Sequence, residues 1–447
     1  MKKGEFMYSY KTLGRRLREL PFWKKIFIII LSMALIRVGS DIPLPFVNQD
    51  YIRSLLNVDG LGFLNSITGG SMLTMSFFAL SVSPYITASI VIQLLTVVIP
   101  ALEEMRKDGK TGFDKYQKIT RYTGIVLGIV QATAMAAGLG KQGLITPYTW
   151  KTVLLAAVIW SLGGVCIILL SEFLDKLELG QGISMILFCN IVSSVPSDAL
   201  NVWTFASSKT TAGTFTKCLI ALVAAIALIG VCVTCQDTVK KLTVVQTRRT
   251  IAGSASTFPI PLLTCSVMPI IFAGSIMSFP IMIAQFIPSL QNGIIGKMIR
   301  ALNTSMWFRP DMPKYTVGAA LYIILTTLFT YFYLSIGFNP YEIADNLKKQ
   351  GGVIPGIRPG KPTAEYIEDL STKIALRGNA IMTLIVLFTY MVCNVSGLGG
   401  LSIAGTSCFI VVNVALEEYK KVSSNFSMKA MQKHNALLPK GLMAGGN

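Results

Sequence analysis

The residues that could carry chemistry in this chain are few and widely spaced. Cys232 and Cys235 form a CxxC pair, a spacing that suits a redox centre or half of a zinc site. The chain has no second CxxC, and its only histidine is His434. All eight cysteines fall in apolar segments, where a cysteine behaves as a small packing residue. The sequence therefore predicts neither a bound metal nor any other cofactor.

Other catalytic patterns are missing as well. The sequence contains no HExxH, GxSxG or P-loop motif, and no paired carboxylates lie within an apolar segment. Ionisable residues are nearly absent from the centres of the apolar segments, where ion-coupled transporters place them. We expect no enzymatic activity. A secondary transporter for an uncharged solute stays open as an alternative, because Pro84, Pro269 and Pro280 interrupt apolar segments and broken helices are typical of such sites.

The elements that must hold these residues are predicted to be membrane-spanning helices. Apolar residues make up 52% of the chain and charged residues only 14%, whereas soluble domains carry about 25% charged residues. Since a helix needs about 20 residues to cross the hydrocarbon core, we expect an all-α polytopic membrane protein with ten spans. These are residues 22–42, 75–100, 120–140, 152–172, 181–200, 216–235, 264–289, 315–336, 376–394 and 400–417.

The distribution of positive charge predicts the orientation of these spans. With the N-terminus in the cytoplasm, 30 of the 40 Lys and Arg residues fall on the cytoplasmic side. This asymmetry follows the positive-inside rule, and an even number of spans returns the C-terminus to the cytoplasm. The predicted outer loop 290–314 is an exception, because it carries four Lys or Arg residues.

Four stretches together have a specific pattern. They are residues 37–45 (RVGSDIPLP), 77–94 (FFALSVSPYITASIVIQL), 180–184 (GQGIS) and 339–360 (NPYEIADNLKKQGGVIPGIRPG). In their order and spacing they resemble the SecY family, the large subunit of the bacterial Sec translocon. The resemblance extends from residue 11 to about residue 422. It implies a channel that moves unfolded polypeptides across, and inserts membrane proteins into, the bacterial plasma (inner) membrane.

The resemblance also implies an architecture. The SecY fold has two pseudo-symmetric halves of five helices, here residues 1–212 and 213–447, which enclose an hourglass-shaped pore. A short re-entrant segment, the plug, would lie at about residues 61–75 and include Leu61, Gly69 and Gly70. Residues 60–102 hold no charge and are too long for one crossing, which favours such an extra segment. An ordinary outer loop is the alternative.

The narrowest part of the pore is assigned by the same resemblance. It would be a ring of branched aliphatic side chains, which excludes water and ions by dewetting. Without the family, each of these residues would be interpreted as core packing. The ring is predicted to consist of Val82, Ile86, Ile191, Ile271 and Ile410.

A lateral gate is implied between the second and third spans on one side and the seventh and eighth on the other. Thr87 and Gln93 on the second span and Phe279 on the seventh would line it. Polar residues there would keep the closed seam only marginally stable, so that a signal peptide could enter it. Thr87 could instead hydrogen-bond its own backbone.

The cytoplasmic loops 236–261 and 337–377 are predicted to bind partners. Arg248 and Arg249 lie in the first loop, and Arg358 lies in a Pro- and Gly-rich frame in the second. Lys240 and Lys241 could equally be topology charges. In the family these loops bind the SecA motor ATPase or the ribosome, whose RNA is anionic. The resemblance further implies SecE-like and SecG-like small subunits, nascent chains and the lipid bilayer as partners.

Overall fold

A computed structural model describes most of the chain. The described residues are 21–48, 51, 67–177, 181–208, 226–227, 229–246, 256–261, 268–287, 290, 293–308, 313–395 and 406–437. Three predicted site residues, Leu61, Arg248 and Arg249, lie outside this part of the chain.

The described chain is mostly helical, in agreement with the predicted fold class. Its longer helices are α1 (Phe22–Asp41), α2 (Ser83–Val98), α3 (Pro100–Lys107), α4 (Gly109–Leu139), α5 (Trp150–Asp175), α6 (Gly182–Ser208), α7 (Met268–Phe286), α8 (Gly293–Leu302), α9 (Val317–Gly337), α10 (Pro340–Lys349), α11 (Lys361–Val395) and α12 (Thr406–Leu437). Nine of the ten predicted spans overlap one of these helices. Of the predicted sixth span, 216–235, the described residues 226–227 and 229–235 are helical.

Length and apolarity mark several helices as membrane crossings. Among the described residues, five helices are long and apolar enough to cross a bilayer, or six if α2 and α3 count as one broken span. These two helices bend by 106° at their junction. Because hydrocarbon offers no hydrogen-bond partner to the backbone, a helix is the element expected at each crossing.

The second span starts later than predicted. The sequence interpretation began it at residue 75, but residues 75–82 form turns and α2 begins at Ser83. Pro84 is the reason, since proline suits the first turn of a helix, where its missing N–H costs no hydrogen bond. Pro84 therefore starts this span and does not interrupt it. Proline does occur within a helix at Pro196 in α6 and Pro280 in α7.

The two predicted cytoplasmic loops contribute strands to a small sheet, which was not predicted from the sequence. Strand β1 (Val239–Gln246) pairs with β2 (Ser256–Pro261) as an antiparallel hairpin. The C-terminal end of β1 also pairs with β3 (Gly352–Val353), which lies in the second loop. The strand order is β2–β1–β3. The sheet therefore joins the described parts of the two loops.

The glycine motif at residues 180–184 joins α5 to α6 closely. The Gly182 N–H donates to Asp175 Oδ1 at 2.7 Å. A Cβ at Gly182 would lie 2.1 Å from the Ser171 carbonyl oxygen, so no larger residue fits without movement. This contact fixes the start of α6, which carries several residues of the candidate site.

Candidate functional site

The structure brings the five predicted ring residues together. Val82 precedes α2, Ile86 lies in its first turn, and the others come from α6, α7 and α12. All five belong to one central core of buried side chains, and none is more than 8% exposed. We call this set of five the aliphatic cluster; it consists of Val82, Ile86, Ile191, Ile271 and Ile410. Four chain segments that are distant in sequence thus contribute branched aliphatic side chains to one buried core, which also contains aromatic residues such as Phe272 and Phe409.

Packing of this kind stabilises a closed arrangement without a specific chemical contact. Full burial of one Val or Ile side chain is worth roughly 1.5–3 kcal/mol relative to its exposure to water. An aliphatic constriction also repels ions, because it offers no ligand to replace their hydration shells. A constriction lined by these five side chains would therefore offer ions no ligand.

The described part of the predicted plug lies directly against this cluster. Ile67 is buried in the same core. Gly69 and Gly70 follow with positive φ angles of 65° and 86°, which glycine adopts without strain. A Cβ at Gly69 would be 3.0 Å from the Asn190 backbone, so the segment sits tightly on α6. The structure thus places residues 67–70 beside the predicted ring.

Two polar side chains hold this segment in place. Asn190 Nδ2 donates to the Ile67 carbonyl oxygen and to Ser81 Oγ, each at 2.9 Å. Arg37 Nη1 donates to the Gly69 carbonyl oxygen at 2.7 Å. We call Asn190 and Arg37 the polar latch.

In the sequence, Arg37 was singled out only as the first residue of the stretch 37–45. Arg37 also contacts Ser193 Oγ at 3.2 Å and forms an ion pair with Asp41 at 3.2 Å. Its place near the end of the first predicted span, which precedes the predicted plug in the chain, was the available signal. Asn190 gave no signal beyond its place next to Ile191, since its partner is a backbone carbonyl 123 residues away.

The predicted lateral-gate residues lie on α2 and α7 as expected, but they make different kinds of contact. Thr87 Oγ1 donates to the Ser83 carbonyl oxygen at 3.0 Å, which is the local backbone bond that was left as the alternative. Gln93 forms a hydrogen bond to another helix: its Oε1 accepts from the hydroxyl of Tyr333 in α9. Phe279 is 46% exposed. Tyr333 was not predicted from the sequence.

A small cavity separates α2 from α7 at this level. It is lined by Ile67, Ile86, Thr87, Gln131, Ser278 and Phe279, among others. The cavity therefore touches the plug segment, the aliphatic cluster and the lateral gate. Among the described residues, Gln131 Oε1 is buried there and has no hydrogen-bond partner.

Arg358, in the predicted cytoplasmic loop 337–377, projects from a backbone that is fixed by local hydrogen bonds and glycines. Arg358 is exposed, and its carbonyl oxygen accepts a hydrogen bond from Thr363 Oγ1 at 2.8 Å. Gly356 and Gly360 flank it with φ angles of 82° and 109°, a conformation that glycine favours. Ile354 packs in a small core that also contains side chains of β1 and α11. Lys240 and Lys241 are exposed on β1 of the same sheet.

The CxxC cysteines are arranged as packing residues. Cys232 and Cys408 of α12 are both buried. Both belong to the central core. Among the described residues, no group of three or more potential metal ligands is found.

Sequence comparison shows which known proteins this chain resembles. The sequence model of the SecY family matches residues 76–419. The chain is 33% identical to the protein translocase subunit SecY of Bacillus licheniformis, over 93% of this chain and 97% of that protein. It is 32% identical to the protein translocase subunit SecY of Streptomyces galbus, over 94% and 98% of the two chains.

Solved structures share the fold. The structure described as "The structure of a protein conducting channel" matches with a TM-score of 0.71 at 18% identity, and the match covers 94% of this chain and 96% of that one. "Sec61 in the Canine ribosome-channel complex from the endoplasmic reticulum" matches with a TM-score of 0.67 at 17% identity, over 94% and 96%. The family model matches most of the chain, and relatives that are 32–33% identical align over nearly its whole length. The chain therefore belongs to the SecY family.

Proposed function

We propose that the chain is the channel-forming subunit of a bacterial protein translocase, without enzymatic activity of its own. It conducts unfolded polypeptides across the plasma membrane and releases membrane segments sideways into the bilayer. The observation that carries this proposal is the aliphatic cluster, which is formed by four separate chain segments and covered by a segment held through the polar latch.

The cluster suits a polypeptide substrate better than a small solute. Aliphatic side chains make no directional bond, so they do not select among the side chains that pass. A solute transporter needs a few convergent polar groups around its ligand. The cavity at the seam has mixed walls and continues onto the cluster, as a path for a chain would.

The lateral exit runs between α2 and α7. Gln93 and Tyr333 hold α2 to α9 through one side-chain hydrogen bond, and Phe279 lies exposed beside the cavity. A signal helix that enters the seam replaces these contacts with its own apolar face. The two five-helix halves, residues 1–212 and 213–447, separate along this line.

Partners that supply the driving force dock on the loops joined by the sheet. Arg358 meets acidic groups of a motor ATPase or ribosomal RNA phosphates, with Arg248 and Arg249 contributing from the neighbouring loop. Small SecE-like and SecG-like subunits brace the two halves. Both termini of the chain lie in the cytoplasm.

The test is contact with a nascent chain. A photo-crosslinking residue at Ile86 should link to a stalled secretory chain in membranes, because that chain must pass the aliphatic cluster. The matched control is Ile324, which lies on α9 and is 61% exposed on the outer face of the bundle. Equal labelling at Ile324, or none at Ile86, would contradict a path through the cluster.

A further inference from the structure

Helix α8 differs from the helices around it. Its ten residues extend about 15 Å, half of what a membrane crossing needs. It joins the end of α7 to the start of α9 and contacts both. It therefore lies where these two helices leave the hydrocarbon, within the basic loop 290–314 that departs from the charge rule.

The C-terminal end of α8 is fixed rigidly to the fold. Trp307 is fully buried, and its indole Nε1 donates to the Ala301 carbonyl oxygen at 2.8 Å. A Cβ at Gly318 would lie 1.8 Å from the same oxygen, so α9 approaches α8 as closely as glycine allows. Asn394 Nδ2 donates to the carbonyl oxygens of Thr304 and Trp307 at 3.1 and 2.7 Å. The orientation of α8 is thus set by the protein.

In this orientation α8 exposes an apolar side. Ile294 is 77% exposed, Ile295 53% and Met298 65%, whereas Gly296 is buried against the protein. At 3.6 residues per turn, Ile294, Ile295 and Met298 share one flank of the helix. Such a strip of exposed aliphatic groups is unfavourable in water.

The other flank is cationic. Lys297 and Arg300 are exposed, and at about 100° per residue the helical period places them roughly 100° and 160° around the helix axis from Met298. Arg300 Nε bonds the Gly296 carbonyl oxygen at 3.3 Å, which directs its stem along the helix. Residues 290–310 contain no Asp or Glu to pair with these cations.

We propose that α8 is a membrane-surface helix that binds anionic phospholipid. Ile294, Ile295 and Met298 enter the acyl region beside the spanning helices, while Lys297 and Arg300 hold lipid phosphates at the headgroup level. A short helix with one apolar and one basic flank is the pattern of interfacial helices. The rigid attachment through Trp307 presets this orientation, so no ordering is needed on contact with the bilayer.

A bilayer accounts for α8 better than a protein partner does. Three exposed side chains are far fewer than the 20–30 residues that each side of a stable protein interface typically contributes. The exposed face of α9, which includes Ile324, is already assigned to lipid by the predicted crossing. The apolar flank of α8 continues that surface, and two adjacent cations match an anionic headgroup.

Photo-crosslinking to lipid tests the depth of α8. Benzoylphenylalanine is placed at Ile294 or Met298 in the full chain, reconstituted in vesicles with radiolabelled phosphatidylglycerol. We expect labelling comparable to that at Ile324, on a spanning helix. Tyr366, exposed on the cytoplasmic part of α11, should give at least tenfold less.

A second arm tests the charge. In an equimolar mixture of phosphatidylglycerol and phosphatidylcholine, lipid linked at Met298 should be enriched in phosphatidylglycerol. The K297Q/R300Q variant should lose this enrichment by about fivefold per cation, the factor expected for ~1 kcal/mol per basic residue at an anionic surface. The matched control, K348Q/K349Q, removes two exposed cations of α10 and should retain it.

The outcomes separate the alternatives. Labelling at Ile324 without labelling at Ile294 or Met298 would overturn the proposal. Label appearing on a co-purified polypeptide instead of on lipid would do the same and would assign α8 to a protein interface. Enrichment that survives in K297Q/R300Q would refute the phosphate contact.

Discussion

Replacing Asn190 should open the channel, and the size of the effect follows from its contacts. Asn190 is 4% exposed, and its Nδ2 holds the carbonyl oxygen of Ile67 at 2.9 Å. Asn190→Leu keeps the volume but removes this donor. The Ile67 carbonyl is then buried without its partner while the segment is seated, which costs roughly 1–3 kcal/mol. The Ser81 hydroxyl loses its bond as well.

This cost destabilises only the closed state, provided that residues 67–70 leave their position when the channel opens. Since about 1.4 kcal/mol is tenfold in an equilibrium, the closed-to-open ratio should fall roughly fivefold to a hundredfold. Ion conductance of the translocase in planar bilayers measures this ratio directly. We expect frequent openings in the absence of any substrate.

The matched control is Asn379→Leu. Asn379 is also buried, and its Nδ2 donates to Thr327 Oγ1 at 3.2 Å, between α11 and α9. We expect this variant to lower the melting temperature without raising conductance. If Asn190→Leu leaves the resting conductance at the wild-type level, the polar latch does not hold the segment, and the reasoning fails.

Three further variants test other parts of the site. Tyr333→Phe removes the hydroxyl that bonds Gln93, so export of a substrate with a weakened signal sequence should rise several-fold; unchanged export would argue against the seam contact. Gly182→Ala places a Cβ 2.1 Å from a carbonyl oxygen and should lower the melting temperature markedly, whereas Gly164→Ala, with open space at its Cβ, should not. Arg358→Glu should abolish motor-driven translocation in vesicles while the melting temperature stays unchanged, since the side chain is exposed; normal translocation would exclude a docking role.

The broad organisation could be predicted from the sequence because it depends on composition. Long charge-free segments predict crossings, and hydrocarbon permits only helices there. Boundaries were less accurate: the sequence interpretation placed residues 75–82 in the second span because they are apolar. The turn at these residues depends on Pro84 and on the positive φ angles of Met75 and Ser81, which apolarity does not reveal.

Contacts between distant segments could not be predicted in the same way. The Asn190–Ile67 bond involves a backbone carbonyl, which every residue has, so no side-chain pattern marks it. The pairing of Gln93 with Tyr333 joins positions 240 residues apart. Likewise β3 has only two residues, too few for a period-two pattern, and its pairing with β1 is set by the tertiary fold. The aliphatic cluster was assigned by resemblance, because buried isoleucines look alike in sequence.

The small sheet couples the two predicted cytoplasmic loops mechanically. β1 continues directly from the helical residues 229–237, and β3 leads through a short turn into α11. Cys232 in the first of these helices and Met382 in α11 both pack in the central core. A force on either loop is therefore distributed over the hydrogen bonds of the sheet. It is transmitted to the central core through two helices, residues 229–237 and α11. If a motor ATPase and a ribosome bind these loops as proposed, both would therefore exert force on the same sheet.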